Sequence, residues 1–115
     1  MDINKWLSDF NNAWTGHDVS AVMNLFTDDV EYWETPNTLI KSKQDLVNEW
    51  QNINNQQEIK LSTKIYSSCA NKHTIIWNLN YSRNEKLFSF SGIYLITLNS
   101  NNKCSYFLSV DETKK

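Results

Sequence analysis

The chain has 115 residues, 40% hydrophobic and 13% aromatic, with five Trp, five Tyr and five Phe and a formal net charge of −2. That length supports one domain with a moderate core, spanning residues 1–115, and the dispersed lysines, with Arg83 the only arginine, exclude the clustered basic face of a nucleic-acid binder. No apolar run approaches the roughly 20 residues of a membrane span, and the N-terminus lacks the basic and then apolar order of a secretory signal, so a cytoplasmic setting without membrane contact is expected.

Ile3, Trp6, Leu7, Phe10, Ala13 and Trp14 recur at helical spacing and predict an amphipathic first helix whose ring-bearing face turns inward, closed by Gly16. A short second helix is expected over Val19 to Phe26, with Asp18 as N-cap. Asp28 and Asp29 then make an acidic turn into a strand whose even positions, Val30, Tyr32 and Glu34, share one face. Ser42 opens a third helix, expected to run through Ile53 with Leu46, Val47, Trp50 and Ile53 inward.

From Glu58 onward the period changes from helical to alternating. Four strands are predicted near Glu58 to Cys69, His73 to Arg83, Lys86 to Leu98 and Cys104 to Asp111, joined by tight polar turns into an antiparallel meander. Helices first and strands afterward give an α+β fold with helices on one face of a curved sheet. The strand from His73 turns Ile75, Trp77, Leu79 and Tyr81 to one face. The next turns Phe88, Phe90, Gly92, Tyr94 and Ile96 to the same side.

These bulky faces are expected to line an interior with Trp14, Trp50, Tyr106 and Leu108, which suits a flat, largely apolar small molecule. The opposite face, carrying Ile76, Ile93, Leu95 and Phe107, is expected to meet a second copy of the chain as a homodimer. The residue of most chemical interest is Glu34, because a carboxylate held among rings loses hydration and becomes a better-matched base near neutral pH. Its plainer reading is a solvated strand end.

The remaining polar residues are read structurally. His17 stands at a helix junction where a ring nitrogen satisfies a loose backbone carbonyl, and His73 at an exposed hairpin end. Cys69 and Cys104 are expected as two reduced, half-buried thiols. No metal or cofactor site is read from the spacing. There is no Gly-rich phosphate loop and no serine with an identifiable base, so covalent catalysis is not expected.

The order of elements resembles the nuclear transport factor 2-like superfamily and, within it, the SnoaL-like group. The marks are Trp14-Thr15-Gly16-His17-Asp18 closing the first helix, Leu25-Phe26-Thr27-Asp28-Asp29-Val30 closing the second, and Thr35-Pro36 after the first strand. Ser42-Lys43-Gln44-Asp45-Leu46 and the final hairpin around Asn102 and Lys103 complete the set. The resemblance implies a conical barrel of curved antiparallel sheet wrapped around the N-terminal helix, with three helices, a pocket open at one end and often a dimer through the outer sheet face.

Such proteins include isomerases, dehydratases, cyclases, epoxide hydrolases and non-enzymatic adaptors, so the fold leaves the activity open. Set against the ketosteroid isomerase relatives, Glu34 falls near their general-base aspartate, one residue further from the proline. Their oxyanion-donating tyrosine corresponds to Phe10, which has no proton to give, and their protonated acidic donor to Tyr94. Three readings follow: a domain that binds a small apolar or aromatic molecule with no assigned reaction; an isomerase, cyclase or dehydratase in which Glu34 takes a proton while Tyr94 donates; and a non-catalytic dimerisation or adaptor module. The first asks least of the sequence.

Overall fold

The structure, a computed structural model, describes residues 2–113. Asp2 caps helix α1 (Ile3–Thr15) by accepting from the Lys5 amide at 3.0 Å, which satisfies one of the free donors of the first turn. The six apolar residues at helical spacing are all buried, as expected. The chain leaves α1 through His17 at φ 57°, so the left-handed position falls one residue after Gly16, which itself keeps φ −86°. Asp18 then caps α2 (Val19–Met23), accepting from the Ala21 amide at 3.0 Å.

Helix α2 is shorter than its apolar stripe. Phe26 does not extend it but begins strand β1 (Phe26–Thr35), because the Cys104 amide bonds the Leu25 carbonyl at 2.7 Å and draws the segment into the sheet. β1 turns back through a short strand that the sequence reading lacked, β2 (Thr38–Ile40). Ser42 caps α3 (Lys43–Trp50), accepting from the Asp45 amide at 3.1 Å. The expected helix through Ile53 ends instead at Trp50, and residues Gln51–Asn55 tighten into a 3-10 turn that still buries Ile53.

Four long strands follow: β3 (Gln57–Cys69), β4 (Lys72–Arg83), β5 (Lys86–Leu98) and β6 (Cys104–Thr113), paired antiparallel in chain order as the alternation predicts. The turn between β4 and β5 is two residues long, with Asn84 and Glu85 at φ 52° and 66°, the double left-handed geometry that matches the twist of a hairpin. The sheet runs β2-β1-β6-β5-β4-β3. β1 joins β6 in parallel, a pairing that, like that of β1 with β2, the meander did not foretell. It is possible because α3 and its turn lie between β1 and the strands that follow.

The sheet curves around α1. Phe10, with no exposed surface, meets the rings of Trp6, Trp14, Trp50, Tyr94 and Phe107 at centroid distances of 5.0 to 6.3 Å. Gly92 sits where β5 bends against β6. A Cβ there would overlap the Val110 carbonyl oxygen and stand 2.8 Å from the Asp111 Cα, so only glycine permits this approach of the two backbones.

Strand β6 corrects one expectation. Thr97 pairs with Tyr106 while Leu98 pairs with Cys104, so Ser105 is an extra residue in the ladder and the alternation slips by one. Phe107, expected outside, is 1% exposed and faces the core, whereas Tyr106 and Leu108 turn to the outer face.

Candidate functional site

Between the open end of the sheet and α3 lies a cavity of about 460 Å³. α1 contributes Trp14, β1 contributes Tyr32 and Glu34, α3 contributes Glu49 and Trp50, and the central strands contribute Trp77, Phe90, Tyr94, Phe107 and Asp111. Of the residues expected to line an interior, Trp14, Tyr32, Glu34, Trp50, Trp77, Phe90 and Tyr94 therefore do so together.

Three do not. Tyr106 and Leu108 fall outside through the slip at Ser105, and Phe107 takes their place. Phe88 lies toward the end of β5, half-buried, stacked on Tyr81 at 5.3 Å with the Arg83 guanidinium 4.9 Å from its ring centre. The sequence alternation finds its face but not its distance along the cone.

The walls are fixed by ring packing. Tyr32 stacks on Phe107 at 4.8 Å and 14°, Trp77 on Tyr94 at 5.0 Å and 14°, and Trp14 meets Trp50 edge-on at 4.9 Å. Gln56, buried between the 3-10 turn and β3, accepts from the Trp14 indole at 2.8 Å, while its own carbonyl bonds the His17 ring at 2.6 Å. His17 thus performs the structural task expected of it, and both contacts hold the Trp14 wall in place.

The polar groups gather at one end. Glu34 is partly buried, and its pKa is raised from 4.5 to about 7. Burial is the first cause, followed by a hydrogen bond to the Glu49 carboxyl, the charge of Glu49 and the charge of Asp111. A neighbouring carboxylate disfavours a second bare charge, so Glu34 keeps its proton to higher pH. Deeper in, burial also raises the pKa of both Tyr32 and Tyr94, so each phenol stays protonated and available as a donor. The Trp77 indole nitrogen is buried with no hydrogen-bond partner.

Glu49, Gln56, Arg83 and Asp111 are cavity residues that sequence reasoning missed. Glu49 precedes Trp50 on a helix whose exposed face is polar, and only the docking of α3 on β1 brings it beside Glu34. Asp111 had a signal: once the extra residue in β6 is known, Phe107, Ser109 and Asp111 share a face.

Both histidines and both cysteines lie elsewhere. His73, expected exposed, is 8% exposed; its Nδ1 pairs with the Ser68 hydroxyl at 2.7 Å across the β3–β4 hairpin, a serine–histidine contact the sequence did not announce. Burial lowers the His73 pKa. The two cysteines are unpaired and unequal: Cys69 is exposed, and Cys104 is buried with its thiol pushed up to about 12. Among the described residues, no helix is long and apolar enough to cross a membrane, and no three His, Cys, Asp or Glu side chains stand close enough to hold a metal ion.

The family model for the SnoaL-like domain matches residues 7–106. No curated protein sequence matches the chain. Among solved structures, the RV0760c protein of Mycobacterium tuberculosis superposes with a TM-score of 0.82 at 12% identity, over 96% of this chain and 95% of its own. The Delta 5-3-ketosteroid isomerase of a Mycobacterium species gives 0.79 at 12% identity, over 97% and 98%. A LEH-like epoxide hydrolase of Mycobacterium tuberculosis gives 0.73 at 11%, over 94% and 80%. At such identities the likeness is one of fold.

Proposed function

Because the chain belongs to the SnoaL-like domain family, we propose that it binds a small, ring-bearing and largely apolar molecule in the cavity, with the molecule's polar end against Glu34. The observation that carries this reading is the convergence of Glu34 and Tyr94 on one cavity walled by Trp14, Trp50, Trp77 and Phe107. A space of about 460 Å³ falls within the usual range for small-molecule sites. The isomerase and the epoxide hydrolase among the structural neighbours support a small-molecule role on this fold.

A second reading, proton transfer on a carbonyl compound, is favoured by the raised pKa of Glu34. A carboxylate that titrates near 7 takes up a proton efficiently at physiological pH, and Tyr94 supplies a hydroxyl to a developing oxyanion. Phe10 stands against Tyr94 at 6.0 Å and has no proton to give, so a second donor in this cavity would come from Tyr32.

The test of both readings is a carboxyl-detected NMR titration of Glu34 joined to a ligand screen. Glu34 is expected to titrate near pH 7 and to shift when an aromatic ligand binds. Titration as a free carboxylate without ligand response would overturn the assignment. For the second reading, Glu34→Gln is expected to abolish hydrogen–deuterium exchange beside the carbonyl of a bound ketone. Tyr94→Phe is expected to cost on the order of 10²-fold.

The outer sheet face supports a homodimer within the same proposal. Leu39, Trp33, Leu108 and Leu95 follow one another across β2, β1, β6 and β5, beside a second row of Val110, Ile93 and Ile76. Five of these seven, Leu39, Ile76, Ile93, Leu95 and Val110, are exposed. A continuous apolar face of that kind is costly in water. Leu95→Lys is expected to convert a dimer to monomer in sedimentation equilibrium; a wild-type monomer at high micromolar concentration would refute the assembly.

A further inference from the structure

We infer that the ligand of this cavity is an organic cation, a protonated or quaternary amine carried on a ring-bearing body. The inference rests on the ligand-binding reading above and names the ligand class. Its first support is the charge at the cavity wall. Glu34 from β1, Glu49 from α3 and Asp111 from β6 line one space, and the only basic residue lining it is Arg83. The Arg83 guanidinium lies over the Phe88 ring, and among the described residues no ion pair joins it to any of the three carboxylates. Glu34 and Glu49 line the same space, and two bare carboxylates there repel. An ammonium group placed there offsets both charges.

The rings point the same way. Trp14, Trp50 and Tyr32 line the space that Glu34 and Glu49 share, and aromatic rings attract a cation through the ring quadrupole. The remaining titratable groups facing the space, Tyr32, Tyr81 and Tyr94, are phenols, and none brings a positive charge.

Three probes with one body separate the possibilities: tyramine as cation, tyrosol as neutral alcohol and para-hydroxyphenylacetate as anion, each measured by isothermal titration calorimetry at pH 7. Tyramine is expected to bind about tenfold or more tightly than tyrosol, and the anion more weakly than either. Because Glu34 holds its proton toward neutral pH, tyramine binding is expected to release protons, seen as a dependence of the heat on buffer ionisation enthalpy. Glu34→Gln and Glu49→Gln, whose folding is checked by circular dichroism, are each expected to erase most of the preference for tyramine over tyrosol. Equal binding of tyramine and tyrosol, absence of proton release, or tighter binding of the anion overturns the cation inference and leaves the cavity reading standing. Failure of all three probes, and of a wider neutral aromatic panel, overturns the cavity reading itself.

Discussion

Phe10→Ala is expected to lower the unfolding free energy by about 3–5 kcal/mol, the usual cost of emptying a fully buried aromatic site. That is a large fraction of the roughly 5–15 kcal/mol that holds a domain of ordinary stability. The size follows from position. Phe10 is the ring that α1 inserts at the centre of the curved sheet, touching α3 through Trp50, β5 through Tyr94 and β6 through Phe107. Each neighbour itself packs against another ring, so none can move in to fill the space without losing a contact of its own. Urea unfolding followed by tryptophan fluorescence measures the loss. Phe10→Leu, which keeps most of the volume, is expected to recover more than half of it. A drop below about 1 kcal/mol for the alanine variant would mean that the cone collapses around a missing ring and that its core is not rigidly packed.

The reach of the sequence can be judged at particular residues. The face of α1 was legible because six apolar residues at helical spacing leave one way to bury them, and the faces of β4 and β5 because strict alternation over a dozen residues leaves one register. β6 was not. Ser105 has no feature that marks it as the extra residue in a ladder, and a slip of one position exchanges Phe107 for Tyr106 and Leu108. Phe26 failed for a related reason: its apolar spacing fits α2, but pairing of the neighbouring Leu25 with Cys104 outweighs one more helical turn.

The site divides along the same line. Glu34 was found because it lies on a strand with Tyr32 and shares its face, a local property. Glu49 and Asp111, which with burial set the pKa of Glu34, lie 15 and 77 positions further along the chain, and nothing in their local sequence distinguishes them from solvated carboxylates. His73 shows the converse. Its place at a hairpin end suggests exposure, yet its face is the inner one, shared with Ile75, so the ring is carried inward.

The carboxyl cluster also sets a pH dependence of stability with a definite sign. The folded pKa of Glu34, about 7, lies above its value of 4.5 in an unfolded chain, so the folded state holds the extra proton between those limits. The stabilisation from that proton is complete below pH 4.5 and is lost as pH rises through 7, where burial and the charges of Glu49 and Asp111 act against a bare carboxylate. His73 runs the other way: its folded pKa lies below 6.5, so protonation of the unfolded chain lowers stability as pH falls beneath that value. Both wild type and Glu34→Gln keep His73, and its contribution cancels in their difference. Glu34→Gln is neutral at every pH, so its melting temperature relative to wild type is expected to climb between pH 4.5 and 7 and to level off above about 8. Glu49→Gln, which removes the neighbour rather than the titrating group, is expected to show a weaker slope in the same window. Differential scanning calorimetry at fixed ionic strength reads both. A difference that stays flat across the window would show that Glu34 ionises freely in the folded chain and that its partners in the cavity do not hold a proton with it.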